Sequence, residues 1–150
     1  MKNILTSILF FAFSANSFFF SKTKQFRKEI GGVNIDVYEA REKKKSMLFF
    51  SGGFGKIPHF IYSDFLNRLS EKGISCYSIA GGDLTGEAFS WIEDHSNYTP
   101  FIAAHSSGAV PALDTALIAP VSEIILLDPV GFKNYNLKRV ERILFLKAEL

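Results

Sequence analysis

The chain has 150 residues, 47% of them hydrophobic and 15% aromatic, with 17 Lys and Arg against 15 Asp and Glu. That is enough apolar material for one packed domain, and it excludes a disordered chain. With a formal net charge of +2, and lysines gathered only at Lys43, Lys44 and Lys45 between two apolar segments, a solvated turn is expected rather than a nucleic-acid surface. Cys76 is the only cysteine, which excludes an internal disulfide or a cysteine-based zinc site and makes it a small buried filler in an apolar run.

In chain order, Lys2 is followed by no charge until Lys22, and residues 4–15 are almost wholly apolar. Residues 1–25 therefore read as a signal peptide or targeting presequence, leaving residues 26–150 as the folded domain. Three versions stay open. One is a secretory signal with A-x-S cleavage sites at Ala12/Ser14 or Ala15/Ser17; another is an uncleaved membrane anchor. The third resembles the two-part presequences of secondary plastids: a cleaved signal, then a basic, serine-containing segment led by phenylalanine. The expected location is the secretory pathway or outside the cell, or a plastid. Membrane contact is expected only through an uncleaved N-terminal segment.

Residues 33–39 alternate apolar Val33, Ile35 and Val37 with Asn34, Asp36 and Tyr38, the period of a half-exposed edge or early strand. Residues 47–50 are continuously apolar and closed by Ser51, Gly52 and Gly53, as expected of a strand buried on both faces. Ile61, Phe65, Leu66 and Leu69 recur at helical spacing over residues 60–72, and Gly73 stops that helix. A strand follows at 74–80, a short helix at 87–95, a strand at 101–104, a helix at 110–118 and a strand at 124–127. Residues 133–142 are open to a helical reading, and residues 143–146 read as one more buried strand. Alternating strands and helices make the fold class α/β, a three-layer sandwich with a mainly parallel sheet.

The chemistry is expected around Ser106. Residues 101–109 run from a buried strand straight into a helix, with Ala104 and Gly108 two positions either side of Ser106 and His105 and Ser107 next to it. A serine at a sharp strand-to-helix bend needs small neighbours at those positions, and the following helix aims its N–H groups at the site. Ala104-His105-Ser106-Ser107-Gly108 resembles the G-x-S-x-G nucleophile elbow of the α/β-hydrolase superfamily, departing from it at Ala104. Phe50-Ser51-Gly52-Gly53-Phe54-Gly55 occupies the place of that family's oxyanion turn. The resemblance implies Ser106 as nucleophile, the backbone amides of Phe54 and Ser107 as the oxyanion hole, and Gly53 and His59 beside the substrate. A plain glycine turn is the alternative for residues 52–55.

Leu48-Phe49-Phe50-Ser51-Gly52-Gly53-Phe54, His105-Ser106-Ser107-Gly108-Ala109 and Leu126-Leu127-Asp128-Pro129-Val130 are most similar to chlorophyllases and related carboxylesterases. That resemblance implies Asp128 as the triad acid, against the reading of an Asp-Pro turn closing a strand. Chlorophyllase elbows read G-H-S-R-G-G, so Ser107 and Ala109 depart from them. In other members the acid follows the next strand, near or beyond Leu150.

A serine nucleophile needs a histidine base, and the family order is Ser, acid, His. No histidine follows Asp128. His105 should project away from Ser106, His59 reads as loop filler and His95 as a capping or surface residue. The expectation is a partial chain whose catalytic histidine is missing, inactive by itself; a shortened, catalytically silent relative is the alternative. The expected substrate is a small-molecule ester, hydrophobic because of the phenylalanines around Phe54 and Phe60. No metal or organic cofactor is expected. A non-catalytic binding module on the same fold is the rival from another class. A dinucleotide or phosphate loop at residues 52–56 fails on spacing, with Pro58 where glycine is needed and Ile57 after Lys56.

Overall fold

The computed structural model describes residues 23–53, 60–79, 83–131 and 134–147. Among them are strands β1 (Lys24–Ile30), β2 (Val33–Glu39), β3 (Lys45–Phe50), β4 (Ile74–Ile79), β5 (Phe101–His105), β6 (Glu123–Leu127) and β7 (Arg142–Leu146). The helices are α1 (Phe60–Glu71), α2 (Gly86–Ser96) and α3 (Ala109–Ile118), the last entered through a 3-10 turn at Ser106–Gly108. The strands form one sheet in the order β1-β2-β4-β3-β5-β6-β7. From β4 to β7 all pairings are parallel, while β1 and β2 are antiparallel to each other and β2 to β4. This is the mainly parallel α/β sandwich expected.

Parallel neighbours need helical crossovers, and these cover both faces of the sheet. Alternate residues of β3 show the layering. Leu48 and Phe50 pack with Ala88, Ile92, Ala112 and Leu113 of α2 and α3, while Met47 and Phe49 pack with Leu66 and Leu69 of α1. Because both faces are covered, β3 is continuously apolar from Met47 to Phe50, and every residue of β4 is buried, Ser75 and Ser78 included. Cys76 is fully buried in the α1 layer, and burial pushes its thiol pKa upward.

β1 begins at Lys24, where the described residues start with Thr23. As the outer strand it exposes most of its side chains, with only Phe26 and Ile30 packed against the core, so no hydrophobic period marks it. Its register places Arg27 opposite Asp36, where the guanidinium donates from Nε at 2.7 Å and from Nη2 at 3.0 Å. β2 is therefore second from the edge, and Tyr38, expected on a solvated face, is buried in the α1 layer. The helical reading of residues 133–142 fails: residues 134–141 form irregular chain with a turn at 138–139. Tyr135, Leu137 and Val140 pack against the core without helical spacing, and the Tyr135 hydroxyl donates to Asp114 Oδ1 at 3.0 Å. The N-terminal apolar segment lies outside the described residues.

His95 is neither a cap nor a surface residue. Its ring stacks on Trp91 at 4.8 Å and meets the edges of Phe26 and Tyr77, and Asn97 supplies the left-handed cap of α2 instead. Its Nε2 lies 3.5 Å from Glu39 Oε1, an ion-pair separation rather than a hydrogen bond. Burial among the rings, and then Lys43, hold the imidazole below its ordinary pKa of 6.5. The folded state thus favours neutral His95, a contribution present above pH 6.5 and lost as the pH falls below it. The Lys43 hydrogen bond holds Glu39 low as well, so that group loses its contribution at lower pH with the same sign. The urea midpoint, followed by Trp91 fluorescence, should drop between neutral pH and pH values below 6.5. His95→Phe should flatten that drop, and an unchanged drop would show that His95 does not cause it.

Candidate active site

β5 and β6 point their C-terminal ends the same way, with His105 beside Leu127 in the register. Ser106 and Asp128 each follow those residues, so they leave the same end of the sheet one strand apart, a spacing of about 4.8 Å between strands. His95 is excluded from that end. Its ion-pair partner Glu39 extends the β2–β4 register to Ser75, near the start of β4, roughly 13 Å along the strand from Ile79 at about 3.3 Å per residue.

Ser106 has φ 53°, a left-handed conformation rare for a residue with a side chain, and it is half-buried. His105 before it is still extended, with φ −114° and ψ 135°, and Gly108 after it is already helical. The chain therefore turns from strand to helix at one residue. Close packing holds that bend. A side chain at Gly108 would place its Cβ 2.4 Å from the Phe50 carbonyl oxygen and 2.7 Å from that of Ser51, so only glycine lets the helix start against the end of β3. Ala104 is fully buried and is paired to β3 and β6 on either side.

The left-handed backbone at Ser106 costs about 1 kcal/mol for any residue bearing a Cβ. Ser106→Gly is expected to raise stability by roughly 0.5–1 kcal/mol, whereas Ser106→Ala, which keeps the Cβ, should leave it unchanged. Urea unfolding of the two variants checks this. Equal stabilities would mean that the bend carries no strain.

The glycine turn after β3 lies against the elbow. A Cβ on Gly52 would stand 3.0 Å from Ser106 Cβ and 2.9 Å from His105 Nδ1, and Gly53 has φ 69°. Ser107 is buried in the 3-10 turn. Phe54 and His59 lie outside the described residues. Asp128 is half-buried with φ 42°, a conformation aspartate tolerates in turns. Its N–H donates to the Leu146 carbonyl at 2.8 Å, and the Val130 N–H donates to the Ser106 carbonyl at 3.2 Å. The chain after β6 is thus hydrogen-bonded to the elbow.

Tyr62 falls on the same helical stripe as Phe65, Leu66 and Leu69, and nothing else in the sequence marks it. Its hydroxyl accepts from the Gly52 N–H at 3.3 Å and lies 2.9 Å from His105 Nδ1. Its ring packs on Phe49 at 4.9 Å. One side chain of α1 therefore ties the glycine turn to the residue before Ser106, and His105 faces Tyr62 through Nδ1. The Ser51 hydroxyl is buried and has no hydrogen-bond partner among the described residues; no sequence signal marks it.

No family model and no curated protein matches the sequence. Solved structures do resemble the fold. Epoxide hydrolase VrEH1 from Vigna radiata superposes with a TM-score of 0.59 at 19% identity, over 83% of this chain and 43% of its own. An esterase from Pyrobaculum calidifontis gives 0.57 at 16%, over 82% and 48%. A bacterial heroin esterase gives 0.57 at 15%, over 83% and 49%. The chain spans less than half the length of each of these three structures.

Proposed function

We propose that this chain, which has the α/β-hydrolase fold, is the nucleophile-bearing part of a serine hydrolase acting on small-molecule carboxylic esters. The observation that carries the reading is Ser106 itself, held left-handed at the C-terminal end of a central strand, beside a glycine turn and at the entry to α3. The esterases and the epoxide hydrolase that share the fold support a hydrolytic chemistry.

In this mechanism the Ser106 hydroxyl attacks the acyl carbonyl, and the Phe54 and Ser107 amides with the positive end of α3 hold the oxyanion. The alcohol leaves with a proton. Water then attacks the acyl-serine and releases the acid. In this reading Asp128, which leaves the same end of the sheet as Ser106, is the carboxylate that orients and charge-balances the base. The base is not assigned to a described residue: His95 is at the other end of the sheet, His105 faces Tyr62, and His59 lies outside the described residues. The Leu126-Leu127-Asp128-Pro129-Val130 run narrows the proposal to a chlorophyllase-like carboxylesterase, and the phenylalanines around the glycine turn favour a hydrophobic acyl or alcohol group. The apolar N-terminal segment followed by basic residues supports the secretory pathway or a plastid as its location.

A series of p-nitrophenyl esters of increasing acyl length, with imidazole added to supply the missing proton acceptor, tests this reading, with turnover and binding measured separately. Turnover that rises with acyl length supports it. Esters that bind, by calorimetry, without turnover at any length would favour the non-catalytic binding module.

A further inference from the structure

We infer, on the reading of Ser106 as nucleophile, that Tyr62 is a positioning residue for it: the tyrosine hydroxyl sets how the glycine turn after β3 stands against the elbow. The sheet does not set this by itself. The β3–β5 register ends at Phe50 and Ala104, so Ser51, Gly52 and Gly53 on one side and His105 and Ser106 on the other lie past the last paired residues. Both chains then bend, Gly53 at φ 69° and Ser106 at φ 53°. They bend in contact, since a Cβ on Gly52 would stand 3.0 Å from Ser106 Cβ. A nucleophile keeps its rate only while its neighbours hold it within about 0.5 Å of the productive geometry.

Tyr62 reaches both sides of that contact from α1. Its oxygen accepts from the Gly52 N–H at 3.3 Å and stands 2.9 Å from His105 Nδ1. A phenol has one hydrogen to give, and with its oxygen already accepting, the pairing that keeps that hydrogen in use is donation to an unprotonated Nδ1. Neutral His105 then carries its proton on Nε2. The tyrosine ring is fixed in turn: it lies tilted on Phe49 at 4.9 Å and meets the His105 ring edge-on at 5.8 Å, while Phe65 of the next helical turn packs on the same Phe49 at 6.0 Å. Phe49 is buried in β3, so the sheet holds the tyrosine that holds the turn. Tyr62→Phe keeps these ring contacts and loses only the link between turn and elbow.

Phosphonylation of Ser106 by an alkyl fluorophosphonate in the presence of imidazole tests the role, resolved into probe affinity and maximal rate, with urea midpoints measured beside it. Tyr62→Phe is expected to lower the maximal rate by about ten- to a hundredfold and to change the affinity by less than about twofold. His105→Leu, which cuts the link from the elbow side, should do the same, and His105→Asn, which keeps an acceptor in the place of Nδ1, should recover most of that loss. Phe65→Leu loosens α1 on Phe49 without touching the hydroxyl's bonds, so it should lower the urea midpoint and not the maximal rate. A Tyr62→Phe variant that reacts at the parent's maximal rate, a His105→Asn variant as slow as His105→Leu, or a Phe65→Leu variant as slow as Tyr62→Phe would each overturn the inference and leave Ser106 a nucleophile. A parent chain that takes up no probe would remove Ser106 as nucleophile, and the role of Tyr62 with it.

Discussion

Ser106→Ala is expected to abolish the ester hydrolysis that added imidazole brings out in the parent chain, while the protein stays folded. The size of the effect follows from the chemistry, because without the hydroxyl no acyl-serine forms. What remains is the stabilisation that the amides and binding give to attack by water. The alanine keeps the Cβ at the left-handed bend and leaves Gly52 and Gly108 their contacts, so stability is not confounded with activity. Added imidazole sharpens the comparison. Among the described residues, the histidine next to Ser106 in sequence faces Tyr62, so free imidazole is expected to accelerate the parent chain and to give the alanine variant only its rate in buffer. Equal acceleration of both would place the reaction away from Ser106.

Gly108→Ala is expected to be the most destabilising single substitution near the site, by about 3 kcal/mol or more, or to prevent folding. Its methyl would meet two backbone carbonyl oxygens, at 2.4 and 2.7 Å, and not the end of a flexible side chain. Those carbonyls belong to Phe50 and Ser51, where β3 ends between β4 and β5 in the middle of the sheet. Phe50 cannot move without breaking the parallel ladder. The same change at Gly86, where a Cβ would meet nothing, should cost little or add stability because it falls in a helix. Urea midpoints of the two variants make the test, and comparable midpoints would mean that the elbow is not tightly packed against β3.

Much of this architecture is legible in the amino-acid order because burial on both faces leaves a plain mark. The apolar runs at Leu48, Ile102 and Ile124 are strands between two helical layers, and Gly73 ends α1 where the periodicity stops. β1 leaves no such mark: it is a solvated edge held by ladder bonds and by an ion pair, Arg27 to Asp36, that are invisible until the hairpin is formed. The irregular chain before β7 misleads for the opposite reason, since Tyr135, Leu137 and Val140 are apolar enough to pack against the core but do so without helical spacing, Tyr135 reaching Asp114 of α3. The bend at Ser106 could be read locally from its small neighbours. The clamp by Tyr62 could not, because it joins residues 52 and 105 to a helix whose spacing gives only the face and not the hydroxyl's partners. His95 shows the same limit, an ordinary helix-end histidine in sequence that three aromatic rings enclose in space.

The central claim is that Ser106 is a nucleophile. It is tested most directly by incubating the folded chain with an alkyl fluorophosphonate, adding imidazole as proton acceptor, and locating the adduct by peptide mass spectrometry. One adduct per chain on the peptide containing Ser106, absent from Ser106→Ala, is the predicted result. A folded chain that takes up no probe, or takes it up equally on other serines, would contradict it.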